Sequence, residues 1–400
     1  MKITKRIALL GTVSLLCFVL AFTAGAISRT LIGNLSTQHA AERWAGASDN
    51  RFAQITAFFP EFAQISSPNI NQAVGAIRQS LIADGFAPDF GDFRFGYSAE
   101  STLRITNERH STPGILVRAI GVGGNFFDFH NVQLISGAYF VLDEINRDVI
   151  LIEEELAWTL FGATDVAGME IAINGMPHII VGVFRPGEDF ATSRAADGGL
   201  YRVFLPSDRL FELTFPQPVT SFQVILPEPI RGRAEQLFAE SLNELGGDDI
   251  KLLNNSERFC LPARWAVLRD FGVRSMQTDG FRFPYWENAA RMTEDYVALL
   301  WLVSLLLLIF PFVQGIRLSV WAWKRRKWMR FSTVHGMVDG RIEQKRELDW
   351  NIQQAKKHHT AQSIQAQKLD SSPKEEIPIV ADMGENVGNI VREILENEEF

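Results

Sequence analysis

The chain has 400 residues, of which 46% are hydrophobic and 22% charged, and its formal net charge is −8. This length corresponds to two or three domains, and the composition excludes a wholly disordered, collagen-like or low-complexity chain. The acidic balance excludes an overall basic surface for nucleic acid. Two cysteines, Cys17 and Cys260, are too few for a disulfide framework or a cysteine-rich metal site.

Two stretches of the chain are long and apolar enough to cross a lipid bilayer. Residues 7–27 and 296–316 each contain 21 residues without a charge, and a helix of that length covers a hydrocarbon core of roughly 30 Å. We therefore predict a transmembrane helix in each stretch. A cleaved signal peptide is the alternative for the first, because Ala24-Gly25-Ala26 resembles a cleavage site. A buried core helix is the alternative for the second.

Basic residues lie just before the first stretch and just after the second. The first is preceded by Lys2, Lys5 and Arg6, and the second is followed by Arg317, Lys324, Arg325, Arg326, Lys327 and Arg330. Such residues stay on the cytoplasmic side. The chain is therefore predicted to lie in the cell membrane with residues 1–6 and 317–400 in the cytoplasm and residues 28–295 outside. The second cluster would also attract anionic lipid, although a plain stop-transfer signal accounts for it.

The segment between the spans mixes helix and strand patterns. The periodicity predicts helices at 68–82, 153–161 and 233–245, and strands at 115–122, 148–152, 169–173, 176–184, 203–205 and 221–226. Asn174-Gly175 predicts a hairpin turn, because both residues accept a positive φ. The order of elements lacks a regular β-α-β alternation, so we predict an α+β domain of mixed sheets and helices.

Two short motifs in this segment invite a functional interpretation. Gly121-Val122-Gly123-Gly124 resembles a nucleotide-binding loop, but it lacks the third spaced glycine and is better explained as a tight turn. The acidic run Glu153–Glu155 is better explained as the solvated start of a helix than as a metal site.

The C-terminal segment is polar. Residues 332–370 are predicted to form either an extended helix or a disordered stretch, and residues 371–373 interrupt it. Beyond the break lies an acidic amphipathic helix whose apolar positions are Val387, Ile390, Val391, Ile394 and Leu395. Two interpretations of this helix remain open: it docks in the groove of a partner, or it folds back on its own chain.

Catalytic motifs are missing from the sequence. It contains no phosphate-binding G-x-x-x-x-G-K-[ST] loop, no H-E-x-x-H and no G-x-S-x-G. We therefore predict no catalytic, cofactor-binding or metal-binding residue, and expect that the chain is not an enzyme. An extracytoplasmic enzyme remains the alternative if the fold brings His110, His130 or His178 together with carboxylates.

An ordered set of short motifs carries a family resemblance. It consists of Gly124-Asn125-Phe126-Phe127, Leu134, Gly137, Phe140, Val149-Ile150-Leu151-Ile152, Leu160-Phe161-Gly162, Gly168, Asn174-Gly175 and Ile180-Val181-Gly182-Val183. In this order and spacing the set resembles the MacB-like periplasmic core domain of ABC-transporter permeases. The resemblance implies a two-lobed α+β outer domain between two transmembrane helices, and these residues would be structural rather than catalytic.

The resemblance also implies partners. Permeases of this kind work with a separate ABC ATPase, so the leading hypothesis is a permease-like subunit whose outer domain binds or moves a substrate or partner, alone or with a second permease subunit, as a homo- or hetero-oligomer. Family members typically continue with two further spans, whereas a polar tail follows residue 316 here. The alternative hypothesis is therefore a non-transporting membrane scaffold that keeps the permease-like outer domain.

Overall fold

A computed structural model describes the backbone of residues 2–47, 50–86, 93–107, 114–141, 147–187, 189–196, 199–215, 218–245, 250–271 and 280–369. The chain divides into two compact units, Met1–Gln314 and Gly315–Phe400. The predicted acidic helix at 387–395 and the predicted break at 371–373 lie outside the described residues.

The described residues form ten α-helices and ten strands, besides short 3-10 turns. The helices are α1 (Lys2–Gly33), α2 (Ala40–Ala45), α3 (Ser67–Ala83), α4 (Phe126–Phe129), α5 (Glu154–Phe161), α6 (Phe190–Ala195), α7 (Ser207–Thr214), α8 (Arg233–Ser241), α9 (Leu261–Arg269) and α10 (Tyr285–Leu369). The strands are β1 (Phe52–Phe58), β2 (Arg94–Thr106), β3 (Ile115–Gly124), β4 (Gln133–Gly137), β5 (Val149–Glu153), β6 (Glu170–Ile173), β7 (Met176–Arg185), β8 (Tyr201–Pro206), β9 (Ser221–Pro227) and β10 (Lys251–Asn254). Every helix and strand predicted between the spans is present, and the α+β prediction is confirmed.

All ten described strands belong to one mixed sheet, in the order β10-β1-β9-β2-β3-β8-β5-β7-β4. Strand β6 pairs with β7 and also with the end of β2, where Ile105 lies opposite Ile173. Strands β2, β3, β8, β5, β7 and β6 therefore close into a ring. The pairs β3–β8 and β5–β7 are parallel, and the other pairs of the ring are antiparallel.

The sheet carries two main hydrophobic cores. In the first, α3 and α8 pack on β1 and β9, and the predicted apolar stripe Ile70, Val74, Ile77 and Leu81 is buried there. The second core combines the apolar side chains of the ring with α5 and α7. Burial of these apolar side chains is the main favourable term in folding the domain.

Two glycines occupy positions that disfavour a side chain, one because of its positive φ and the other because an aromatic ring lies against it. In the predicted hairpin turn, Asn174 and Gly175 have φ values of 51° and 78°, which confirms the turn. The tight turn expected at residues 121–124 is wrong, because these residues form the end of β3. The aromatic ring of Tyr97 lies over Gly123, and a Cβ atom there would collide with it.

Among the residues that the structure describes, two helices are long and apolar enough to span a membrane, over Ala8–Gly33 and Tyr285–Arg325. Only 17% of the apolar window of the second is buried, which argues against the core-helix alternative. The two helices touch where Ser304 Oγ lies 3.5 Å from the carbonyl oxygen of Ala21. Helix α10 extends to Leu369, which agrees with the extended-helix alternative for the polar segment up to that residue.

Candidate functional site

The segment that follows α1 and the start of α10 converge on one buried arginine. Arg258 follows a short 3-10 turn at Asn255–Glu257, and its side chain is 1% exposed. Its two terminal nitrogens each donate a hydrogen bond of 2.8 Å to the carboxylate of Glu287, and its Nε donates one of 2.6 Å to Glu294. Because both glutamates belong to the first turns of α10, this side chain fastens that helix to the outer domain.

The same arginine also reaches the segment that leaves α1. Its Nη1 donates a hydrogen bond of 3.0 Å to Gln38 Oε1, which also accepts one of 2.7 Å from Asn255 Nδ2. Asn255 in turn accepts from Thr56 Oγ1 of strand β1 at 2.8 Å. The 3-10 turn that follows α1 and the first turns of α10 are therefore connected to the sheet through one hydrogen-bonded network, which we call the Arg258 network. Its members are Gln38, Thr56, Asn255, Arg258, Glu287, Arg291 and Glu294.

The charges of the network compensate one another. Burial lowers the pKa of Arg258, but the charges and hydrogen bonds of Glu287 and Glu294 outweigh it, and the net shift raises the pKa. Arg291, one helical turn after Glu287, adds a 2.8 Å ion pair to the same carboxylate. Buried ions are tolerated only when their partners hold a fixed geometry. The network consequently favours a rigid connection over a flexible linker.

A second set of contacts, made by the aromatic side chain of Trp286, holds α10 against the outer domain. Trp286 packs on Phe126 and His130, with ring centroids 5.7 and 4.4 Å apart. His130 Nε2 lies 2.8 Å from Gln223 Oε1, and because an amide oxygen only accepts, the imidazole carries a proton on Nε2 and donates it there. Burial lowers the pKa of His130 to about 3, against the opposing effect of the Gln223 hydrogen bond. This imidazole is therefore neutral at physiological pH.

The acidic run before α5 contributes to this second attachment. Glu153 Oε2 accepts hydrogen bonds from Arg202 N and Nε at 2.9 and 3.0 Å, and the Arg202 guanidinium lies over the ring of Tyr285 at 4.8 Å. Glu154 forms an ion pair of 2.9 Å with Arg185. The expected helix start is confirmed, because Glu153 is the N-cap and Glu154 and Glu155 open α5. The expectation of solvation is wrong for Glu153, which is buried against Arg202.

Two cavities flank the start of α10. One, of about 310 Å³, lies between the end of α1, His130 and Trp286. The other, of about 550 Å³, lies between α9 and the Arg258 network, and Lys251 and Asp270 also line it. Both cavities are lined by residues from the first turns of α10, where this helix joins the outer domain.

The histidines named for the enzyme alternative are not brought together. His110 lies outside the described residues, and His130 faces Gln223 rather than a carboxylate. His178 is buried and does lie near a carboxylate, with its Nε2 4.0 Å from Asp148 Oδ1. Its Nδ1 lies 2.9 Å from the carbonyl of Met176, its Nε2 accepts from Arg209 at 3.2 Å, and Arg209 pairs with Asp148 at 2.7 Å. Burial lowers the pKa of His178. Among the residues that the structure describes, no three His, Cys, Asp or Glu side chains form a metal-binding group.

The Arg258 network was not predicted from the sequence. A usable signal was present, since Glu287, Arg291 and Glu294 recur at spacings of four and three immediately before the apolar stretch. Such spacing places all three charges on one face of a helix. The partner Arg258 carries no comparable local signal, because it lies 29 residues before Glu287.

Comparison with known proteins supports the resemblance noted in the sequence. The sequence profile of the MacB-like periplasmic core domain matches residues 13–235, which is more than half of the chain. No curated protein sequence matches the chain.

Three solved structures are similar over about half of the chain. The periplasmic region of MacB from Actinobacillus actinomycetemcomitans has 13% identity and a TM-score of 0.38, covering 56% of this chain and 94% of that one. The extracellular domain of the noncanonic ABC-type transporter YknZ from Gram-positive bacteria has 17% identity and a TM-score of 0.34, covering 50% and 100%. A domain of a putative permease protein from Porphyromonas gingivalis has 16% identity and a TM-score of 0.31, covering 51% and 88%.

Proposed function

The chain belongs to the family of proteins with a MacB-like periplasmic core domain, and we propose that it is a permease-like subunit driven by a separate ABC ATPase. Its extracytoplasmic domain would bind or move a substrate or partner. The observation that carries this proposal is the Arg258 network, which joins the segment after α1 and the start of α10 to the sheet of the outer domain.

In the proposed mechanism, the ATPase changes the positions of α1 and α10 in the membrane, and the outer domain follows as a rigid body. Arg258 makes this possible because its guanidinium contacts the α1 side through Gln38 and the α10 side through Glu287 and Glu294. The chain itself would perform no chemical step. This part of the proposal agrees with the engagement of both ring nitrogens of His178 in structural contacts.

Recovery of partners tests the proposal directly. The full chain, tagged at its C-terminus and extracted from native membranes in mild detergent, is expected to co-purify with an ABC ATPase. A tagged, unrelated two-span membrane protein serves as the control for nonspecific recovery. If no ATPase is enriched over this control, the proposed function is wrong.

The orientation of the chain is part of the same proposal, with residues 28–295 outside and both termini in the cytoplasm. Cys260, next to α9, is partly exposed, whereas Cys17 lies within the first apolar helix. A membrane-impermeant maleimide added to intact cells is therefore expected to label the wild-type chain but not the Cys260→Ser variant. Labelling of wild type only after cell lysis would contradict this orientation.

A membrane scaffold is the second candidate, and the length of α10 favours it. This helix continues past the basic cluster to Leu369, and its described side chains from 340 to 357 are almost all exposed. Such a surface is available to a cytoplasmic partner. In this function the predicted acidic helix with apolar positions 387–395 recruits the partner. Deletion of residues 374–400 therefore separates the two functions: the scaffold loses its partner while the outer domain stays folded, whereas the permease-like subunit still recovers the ATPase.

A further inference from the structure

Helix α9 exposes apolar side chains that its own domain does not cover. Leu261 and Trp265, one helical turn apart, are each 61% exposed, whereas Val267 on the opposite side is buried. Exposed tryptophan is costly in water unless another phase or molecule covers the ring. The position of α9 indicates what covers it.

The contact partner of Trp265 lies within the membrane-spanning stretch. The ring of Trp265 lies 6.5 Å from that of Trp301, in an edge-to-face arrangement. Trp301 lies five residues past Tyr296, where the uncharged stretch begins, which corresponds to about 7 Å along the helix. Trp265 is therefore at the depth where the hydrocarbon of the outer leaflet begins.

A second exposed ring lies at a similar level. Phe190, the first residue of α6, is 55% exposed and packs against Tyr296 with ring centroids 6.0 Å apart. Tyr296 and Trp301 are about 140° apart around the helix axis. Aromatic side chains of the outer domain thus flank α10 on two sides at its entry into the bilayer.

We propose that Leu261, Trp265 and Phe190 insert into the interfacial region of the outer leaflet and make the outer domain a membrane-contacting body. Aromatic rings are favoured at this depth, where the ring body meets acyl chains and polar atoms reach the headgroups. The occupant of this surface is phospholipid, because the surface continues that of a membrane-spanning helix.

This contact has a consequence for the proposed mechanism. A domain with α9 seated in the interface cannot tilt without moving Trp265 relative to the lipid. The bilayer surface would therefore set the resting orientation of the outer domain. The inference depends on α10 crossing the bilayer and not on the identity of any protein partner, so its failure and the failure of the ATPase proposal are distinguishable.

Site-directed fluorescence tests the inference in the full chain. With Cys17→Ser and Cys260→Ser as background, a single cysteine at Trp265→Cys is labelled with the environment-sensitive fluorophore NBD, and the protein is reconstituted in phosphatidylcholine vesicles. Phe190→Cys and Leu261→Cys provide two further positions. All three labels are expected to emit at shorter wavelength than a water-exposed label and to be quenched by lipids that carry a spin label near the headgroup.

The matched control is Phe215→Cys. Phe215 is 71% exposed, and it lies beside the β6–β7 turn, where Asn174 Nδ2 contacts the carbonyl of Leu213. That turn lies at the opposite end of β7 from Arg185, about 30 Å away along the strand, and Arg185 lines the cavity next to α1 and α10. The control label is expected to show water-like emission and no quenching by lipid.

Two results would overturn the inference. If the labels at Trp265 and Leu261 both emit like that at Phe215, the outer domain stands away from the bilayer. If they emit at short wavelength without quenching by spin-labelled lipid, a protein surface such as a second copy of the chain covers α9 instead.

Discussion

Replacement of Arg258 by methionine tests the central connection of the structure. Methionine keeps most of the side-chain volume but removes three hydrogen bonds to carboxylates, of 2.6, 2.8 and 2.8 Å, while Glu287 and Glu294 stay 1% and 8% exposed. Removal of one partner from a buried ion pair costs about 3–5 kcal/mol, because the remaining charge is left in a poorly polar environment. For a domain of this size that loss lowers Tm by about 6–20 °C.

The assay is thermal unfolding of the full chain in detergent, followed by tryptophan fluorescence. The control is Arg233→Met, because Arg233 also makes two hydrogen bonds to one carboxylate, that of Asp84, at 2.8 and 2.9 Å. Its ion pair lies at the surface, where screening by solvent leaves little net stabilisation, so a much smaller shift is expected. In the Arg258→Met background, Glu294→Gln is expected to recover part of the loss, because it removes a buried carboxylate that has lost its ion pair with Arg258, whereas Glu287 keeps its ion pair with Arg291.

Equal shifts for Arg258→Met and Arg233→Met would refute the reasoning, since burial would then make no difference to the cost. A large loss that Glu294→Gln does not reduce would also count against it. In that case the damage would come from packing around the methionine rather than from the carboxylates.

The remaining predictions concern the backbone and the buried imidazole. Gly137→Ala and Gly175→Ala both place alanine at a φ of 78°, which costs about 1–2 kcal/mol. At Gly137 the new methyl group would collide with the carbonyl oxygen of Val181, whereas open space surrounds Gly175. Gly137→Ala is therefore expected to lose about 1–3 kcal/mol more unfolding free energy than Gly175→Ala in chemical unfolding. Equal losses would contradict the close approach of β4 and β7. Burial lowers the pKa of His130 to about 3. Below about pH 6.5 the unfolded chain therefore binds a proton at this residue, whereas the folded chain does not. The free energy of unfolding consequently falls as the pH drops from about 6.5 to 3, by at most about 5 kcal/mol. His130→Gln is expected to flatten this part of the curve of unfolding free energy against pH, and an unchanged slope would mean that other groups dominate.

Local patterns in the sequence were sufficient for much of the fold. The apolar stripe of α3 and the Asn174-Gly175 turn are present in the structure where they were predicted. Each depends on residues within a few positions of one another, so the physical cause is visible in a short window. The uncharged length of the two spans is a property of the same kind.

Strand β2 shows where local reasoning fails. It is the longest described strand, yet it was not predicted, because its sequence mixes Gly96, Ser98, Glu100 and Arg104 with apolar residues. Its stability comes from pairing with β3, β9 and β6, which lie elsewhere in the chain. The closure of the ring by Ile105 and Ile173 likewise joins residues that are distant in sequence.

The sequence by itself determined that the chain has two apolar helices, an α+β body between them and the motifs of its family, because hydrophobic periodicity, turn chemistry and uncharged length act over short distances. The tertiary structure alone decided that Arg258 joins the segment after α1 and the start of α10 to the sheet, and that Trp265 lies beside Trp301. A charge is buried only where the fold assembles its partners, and those partners come from segments that no local pattern connects.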